Sequence, residues 1–215
     1  KSLNLSFPSI MLMAGKGKRV QDLKEKKPFL KFKNKKIYQY IFKKFGSKKK
    51  YIITNNNYSN LINKKFKIKK INETKSMLQT IEKSVNFFND KKNFFILSCD
   101  CFGSFEDIIF KKFIKNENPD VILFTFKITE LQRLLSNSHT TIKIFNNKIK
   151  SINVKKFIND KNEFGHAGFF WVKNKHVFDD LENFYLHNKL KREILLDDYF
   201  KFLFDKNICK VKFFR

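Results

Sequence analysis

Short apolar runs alternate with amphipathic helical faces over the first 126 residues, and this alternation limits the fold more than any other feature of the chain. The runs at 9–13, 51–54, 94–98 and 121–126 are almost continuously apolar, as expected of strands covered on both faces. Between them, Ile37, Tyr40, Ile41 and Phe45 recur at helical spacing and Gly46 supplies a stop. Met77, Leu78, Ile81, Val85 and Phe88 give a second helical face, and Phe105, Ile108, Ile109 and Phe113 a third. Strands interleaved with helices predict an α/β, Rossmann-like, mainly parallel mixed sheet with helices on both faces.

The pattern changes near residue 138. The segments 140–145 and 149–154, joined through Asn146-Asn147, predict a small β-hairpin, and 169–172 a further strand. Two helices close the chain, with faces Val177, Leu181, Phe184, Tyr185 and Leu195, Tyr199, Phe202, Leu203. Neither a repeat nor a linker interrupts it, so residues 1–215 read as one domain. The first residue is Lys1 rather than Met, as in a piece of a longer protein.

Composition separates partner classes. With 42% hydrophobic residues, 28 of them Phe, the chain is not disordered. A formal charge of +26 invites a nucleic-acid reading through counterion release. However, only Arg19, Arg133, Arg192 and Arg215 among the 46 cations are Arg, the residue whose planar fork reads guanine edges. The remainder are Lys spread over the whole length, a compositional bias that also attracts anionic substrates, and no nucleic-acid partner is expected. Cys99, Cys101 and Cys209 make no disulfide framework and no zinc site, and the four His lack metal spacing. Reduced thiols, the lack of a membrane-length apolar run and the lack of a signal-peptide stretch lead us to expect a cytoplasmic protein without membrane insertion.

The segment from Met13 to Arg19, reading Met-Ala-Gly-Lys-Gly-Lys-Arg, follows the first strand, with Lys27-Pro28 eight residues beyond. Glycines let a backbone approach a ligand, and successive amides in such a loop cradle phosphate oxygens. A Walker loop would need Gly-Lys-Ser/Thr at its end, and the dinucleotide fingerprint a glycine where Val20 stands. A plain glycine turn on a lysine-rich surface fits this segment equally well. Asp100 follows a buried strand, where α/β sheets place their ligands and where Mg²⁺ finds a carboxylate; capping of the next helix is the alternative.

Ala14, Gly15, Lys16, Gly17, Lys18 and Arg19, followed by Lys27-Pro28, resemble the signature of the sugar-phosphate nucleotidylyltransferases. The similarity continues along most of the chain. Residues 74–80 resemble the family's base-binding segment, 97–101 the strand end with its metal aspartate, and 151–156 the segment with a substrate-phosphate lysine. Residues 167–170 resemble its sugar-pocket strand and 193–198 the helix after it. The sequence departs from the pattern at Lys18, Ser76 and Val154, and a second metal aspartate is not evident before the chain stops at Arg215, as if truncated there.

The resemblance implies a nucleotide-diphospho-sugar transferase fold and the transfer of a nucleoside monophosphate from an NTP to a sugar 1-phosphate, with release of pyrophosphate. Enzymes of surface or capsular polysaccharide synthesis are the nearest in character. It implies catalytic roles for Arg19, Lys27 and Lys155, and nucleotide binding by Ala14, Gly15, Gly17, Thr74, Ser76 and Thr80. Gly168 and Glu193 would contact the sugar, and Asp100 would hold Mg²⁺. Lys155 also reads as a solvated lysine, Glu193 and Asp198 as charges on an amphipathic helix, and His166 as a turn histidine. A catalytically silent nucleotide-binding relative and a basic nucleic-acid-binding module stay open beside the enzyme, as does association into a homo-oligomer.

Overall fold

In a computed structural model of the chain, residues 7–15, 26–45, 47, 49–99, 103, 105–129, 140–156, 162–188 and 192–215 are described. In chain order come β1 (Ser9–Met13), β2 (Lys31–Phe32), β3 (Lys35–Lys36), α1 (Ile37–Phe45), β4 (Lys50–Asn55) and α2 (Asn56–Ser59). Then follow β5 (Lys67–Ile71), α3 (Met77–Glu82), β6 (Lys92–Leu97), α4 (Asp107–Glu117) and β7 (Val121–Lys127). The chain continues with β8 (Thr141–Phe145), β9 (Lys148–Asn153), β10 (Glu163–Asn174), α5 (Leu181–His187), α6 (Leu196–Asp205) and β11 (Val211–Phe214).

Neighbouring residues of a strand point to opposite faces, so a strand that is apolar throughout must feed two cores. Ile10, Leu12, Ile53, Phe94, Ile96, Phe170 and Val172 join a cluster under α3, α5 and α6, with Leu78, Ile81, Phe184, Tyr199 and Leu203. Met11, Met13, Ile52, Phe95, Leu97, Phe169 and Trp171 join the other, under α1 and α4, with Tyr38, Ile41, Phe42, Phe45 and Phe110. Aromatic rings fill much of the second core: Phe124 stacks on Phe169 at 4.5 Å, and Phe105 tilts against Phe110 at 4.9 Å. The layering is helix, sheet, helix.

The sheet runs in the order β11-β7-β10-β6-β1-β4-β5, with the β8–β9 hairpin attached through β8 to β10. β6, β1, β4 and β5 are mutually parallel, as are β7 and β11, and β10 runs against both of its neighbours. The mainly parallel mixed sheet with helices on both faces is therefore the observed architecture. Left-handed Asn146 and Asn147 close the predicted hairpin, where a two-residue turn needs positive φ twice. Among the described residues, no helix is long and apolar enough to cross a membrane.

Several local expectations are corrected. The second helical face does not belong to one helix: α3 stops at Glu82, where the Ser84 hydroxyl donates to the Thr80 carbonyl at 2.5 Å, and the chain resumes as a 3₁₀ turn, Val85–Phe88. The third face is rotated: Ile108 is 82% exposed and Phe110 is fully buried, with Phe113 and Ile114 packed beside it. The spacing 110, 113, 114 is itself helical, and the apolar Ile108 and Ile109 outside it obscured the stripe. β5 reads as polar because Lys67, Lys69 and Lys70 guard a sheet edge, a common device against edge pairing. The short β2, β3 and β11 carry too little pattern to be read.

Candidate functional site

The site begins where β1 ends. Thr74 donates its amide to the Ala14 carbonyl at 3.1 Å, and Gly15 forms an isolated parallel bridge with Thr74. The Asn55 side-chain amide also donates to Ala14, at 3.5 Å. Ala14 is fully buried, so the strand end is pinned from two neighbouring segments. At Gly15 an added Cβ would meet nothing within 4 Å, and its φ lies outside the left-handed region. The fold itself does not require glycine there; the space above it is the cleft. Gly165 differs, because a Cβ would lie 2.4 Å from the Phe126 ring.

α3 forms one wall, and its capping explains the serine at position 76. Ser76 is extended at φ −151° and its hydroxyl accepts the Gln79 amide at 3.2 Å, satisfying an otherwise unpaired helix donor. The Gln79 side chain returns to accept the Lys75 amide at 2.7 Å. Thr74 and Thr80 are almost fully buried and their hydroxyls pair at 2.7 Å, while Thr80 also donates to the Ser76 carbonyl. The Thr74–Thr80 pair therefore ties the start of α3 to the segment that holds Ala14 and Gly15.

A cleft of about 600 Å³ opens over these residues. Lys26, Lys27 and Lys75 are among the residues that line it. Lys27 opens a 3₁₀ turn, Lys27–Phe29, whose Phe29 is buried against Tyr38 and Tyr58 at 5.8 and 5.6 Å. Pro28 sets the first turn of this element, so the lysine rides on an anchored backbone. Ser98 and Cys99, at the carboxyl end of β6, line the floor.

Residues 192–197 line the cleft as well. Asp198 is buried and accepts from both terminal nitrogens of Arg192 at 2.6 and 2.8 Å and from the Leu195 amide at 2.8 Å. This ties Glu193, Ile194 and Leu195 into a fixed rim and caps α6. The hydrogen bonds it donates to Asp198, opposed by burial, raise the Arg192 guanidinium pKa further and keep it charged. Burial pushes the Asp197 carboxyl up, but the charge and hydrogen bond of His166, the Thr140 hydroxyl and a backbone amide outweigh it and hold it below the usual range. Tyr185, beside them, is pushed up to about 12 by burial and by Glu82, to which its hydroxyl donates at 3.2 Å.

Of the residues expected from the sequence, Gly15, Lys27, Ser76, Thr80 and Glu193 meet at this cleft, with Ala14 and Thr74 directly behind it. Lys155 sits in the turn after β9 in a left-handed conformation, and Gly168 lies within β10 at φ 74°; neither is among the described residues that line the cleft. Gly17, Arg19 and Asp100 lie outside the described residues. Among the described residues no cluster of three His, Cys, Asp or Glu could hold a metal, and Asp197 and Asp198 are engaged by His166 and Arg192.

His166 corrects the sequence reading: it is a strand residue of β10, not a turn residue. Arg192 was missed, although one of only four arginines among 46 cations is itself a signal. Arg offers the planar fork that a bidentate carboxylate contact needs, and a solvated position on this surface would carry Lys.

No protein-family model and no curated protein matches the sequence. Solved structures do match in fold. The chain is similar to the inositol-1-phosphate CTP transferase from T. maritima, with a TM-score of 0.72 at 19% identity over 99% of this chain and 86% of that one. It is similar to a protein assigned as a glucose-1-phosphate thymidylyltransferase from Bacillus anthracis, with a TM-score of 0.71 at 14% identity over 96% and 86% of the two chains. It is also similar to the nucleoside-diphosphate-sugar pyrophosphorylase from Vibrio cholerae RC9, with a TM-score of 0.68 at 16% identity over 95% and 90%. At these identities the likeness establishes the fold, which is that of these nucleotidyltransferases.

Proposed function

We propose that the chain is a nucleotidylyltransferase that joins a nucleoside monophosphate from an NTP to a sugar 1-phosphate and releases pyrophosphate. The observation that carries this reading is the cleft itself: an unobstructed Gly15, the cations Lys26, Lys27 and Lys75, and the acidic, internally braced segment 192–197 line one space. A phosphate chain suits the cations and a hydroxyl-rich acceptor the braced segment. The fold shared with the three solved nucleotidyltransferases supports the same reaction class.

The acceptor phosphate attacks the α-phosphorus in line, and the P–O bond to the β-phosphate breaks as pyrophosphate leaves. The acceptor is already ionised near neutral pH, with a second pKa of about 6, so no side-chain base is needed. Catalysis rests on positioning and charge neutralisation. Gly15, with Gly17 and Arg19 of the same loop, holds the triphosphate, the segment Thr74–Ser76–Thr80 borders the base, and Lys27 offsets charge at the α-phosphate. Glu193 contacts the sugar. Mg²⁺, carried by Asp100, would offset charge on the departing pyrophosphate. A role in surface or capsular polysaccharide synthesis, in the cytoplasm, completes the proposal.

The test is pyrophosphate release by the wild type and by Lys27→Ala. Loss of kcat/KM by about tenfold or more is expected, since a cation that acts only in the transition state contributes there alone. A change within about threefold (less than about 0.7 kcal/mol) would remove Lys27 from the mechanism.

A further inference from the structure

We infer that His166 is a positioning residue for the acceptor side of the cleft, acting through Asp197 to join an irregular stretch of β10 to the first turn of α6. The inference rests on the function proposed above. Along β10 the register with β7 runs from His166 opposite Thr125 to Phe170 opposite Leu123, so four steps on one strand answer two on the other. The surplus is a bulge, and Gly168 within it takes a positive φ of 74°. The register of β10 on β7 is interrupted between His166 and Phe170.

The His166 ring lies in that place. Its side chain is 3% exposed, with Nδ1 2.8 Å from the Asp197 carboxylate, Nε2 3.2 Å from the Phe169 carbonyl, and the ring 4.5 Å from the Phe170 ring. Its own amide donates to Thr140 at 2.9 Å. Both ring nitrogens thus face oxygen atoms of the frame. So deeply buried a ring cannot reach a substrate, which excludes a catalytic role. Asp197, in contrast, lines the cleft and begins the helix next to Glu193. Its companion Asp198 is held by Arg192, so two independent clamps set the rim: Arg192 from the chain before it, and His166 from the sheet.

The test compares wild type with His166→Phe, His166→Gln and Asp197→Asn. Two readouts are used: steady-state KM for each substrate, and hydrogen exchange of the amides at 195–198. For His166→Phe we expect the acceptor KM to rise about tenfold with the NTP KM and kcat within about twofold, as for loss of a group that orients one substrate. Gln, which can still donate to Asp197, should recover part of the loss, and exchange at 195–198 should accelerate while that at 78–82 stays unchanged. Should His166→Phe fail to fold, Asp197→Asn preserves shape and is expected to show the same split. Equal changes in both KM values, or unaltered exchange at 195–198, would overturn the inference. A wild type that folds but turns over no substrate refutes the proposed function and the acceptor role with it, whereas the exchange result alone decides the clamp.

Discussion

Replacing Gly15 by alanine separates a ligand-binding glycine from a merely structural one. A Cβ at this position meets nothing within 4 Å and its φ is not left-handed, so folding has no reason to resist the methyl group. Alanine narrows the unfolded ensemble, and a compatible Gly→Ala change stabilises by about 0.4–1 kcal/mol. In a chain of this size each kcal/mol moves Tm by about 2–4 °C, so a rise of roughly 1–4 °C is expected. The same methyl group enters the space that a bound triphosphate would occupy. A displacement of about 1 Å of a reacting group costs on the order of 10²-fold in rate. The assay pairs thermal unfolding with pyrophosphate release at saturating acceptor. Unchanged or raised Tm with kcat/KM for NTP lowered at least about tenfold is the expected result. A fall in Tm of several degrees, or full activity, would refute the reasoning.

Other expectations concern the frame. Asp198→Ala removes a helix cap worth about 1 kcal/mol and charge-assisted hydrogen bonds worth about 1.5–3 kcal/mol, so urea unfolding should show a loss of about 3 kcal/mol. A loss under about 0.5 kcal/mol would mean that Arg192 does not brace the rim in solution. Gly165→Ala should destabilise by about 1–3 kcal/mol, since its Cβ would lie 2.4 Å from the Phe126 ring, and chemical denaturation gives the value. Because the folded pKa of Asp197 is depressed, its stabilisation is fully present above its ordinary value of 3.8 and is lost as pH falls through the lower folded value. The stability gap between wild type and Asp197→Asn should therefore be open at about pH 6 and narrow below about pH 3.5; a gap that widens on acidification would reverse the assigned sign.

The fold was legible wherever burial leaves a continuous or periodic apolar trace. β1, β6 and β7 each carry an unbroken apolar run because each supplies both cores, and Ile37, Tyr40, Ile41 and Phe45 mark α1 by spacing alone. What escaped was held by other means. β5 is a lysine-rich edge strand, stabilised by its backbone pairing with β4 rather than by an apolar face. α4 presents two isoleucines to solvent beside its true stripe. Of the candidate site, the order of the segments was legible, and five of the expected residues line one cleft. Its bracing was not, because His166–Asp197 lies 31 residues apart and the Thr74–Thr80 and Arg192–Asp198 pairs depend on side-chain directions that spacing does not give.

The most direct measurement is identification of the product. The four NTPs would be incubated with a panel of sugar 1-phosphates and Mg²⁺, and the mixtures resolved by phosphorus NMR. A nucleoside diphosphate sugar and pyrophosphate appearing in equal amounts, only with both substrates present, is the predicted result. Nucleotide bound tightly in the cleft with no diphosphate product from any pair would contradict it, and would make the chain a nucleotide-binding protein of the same fold.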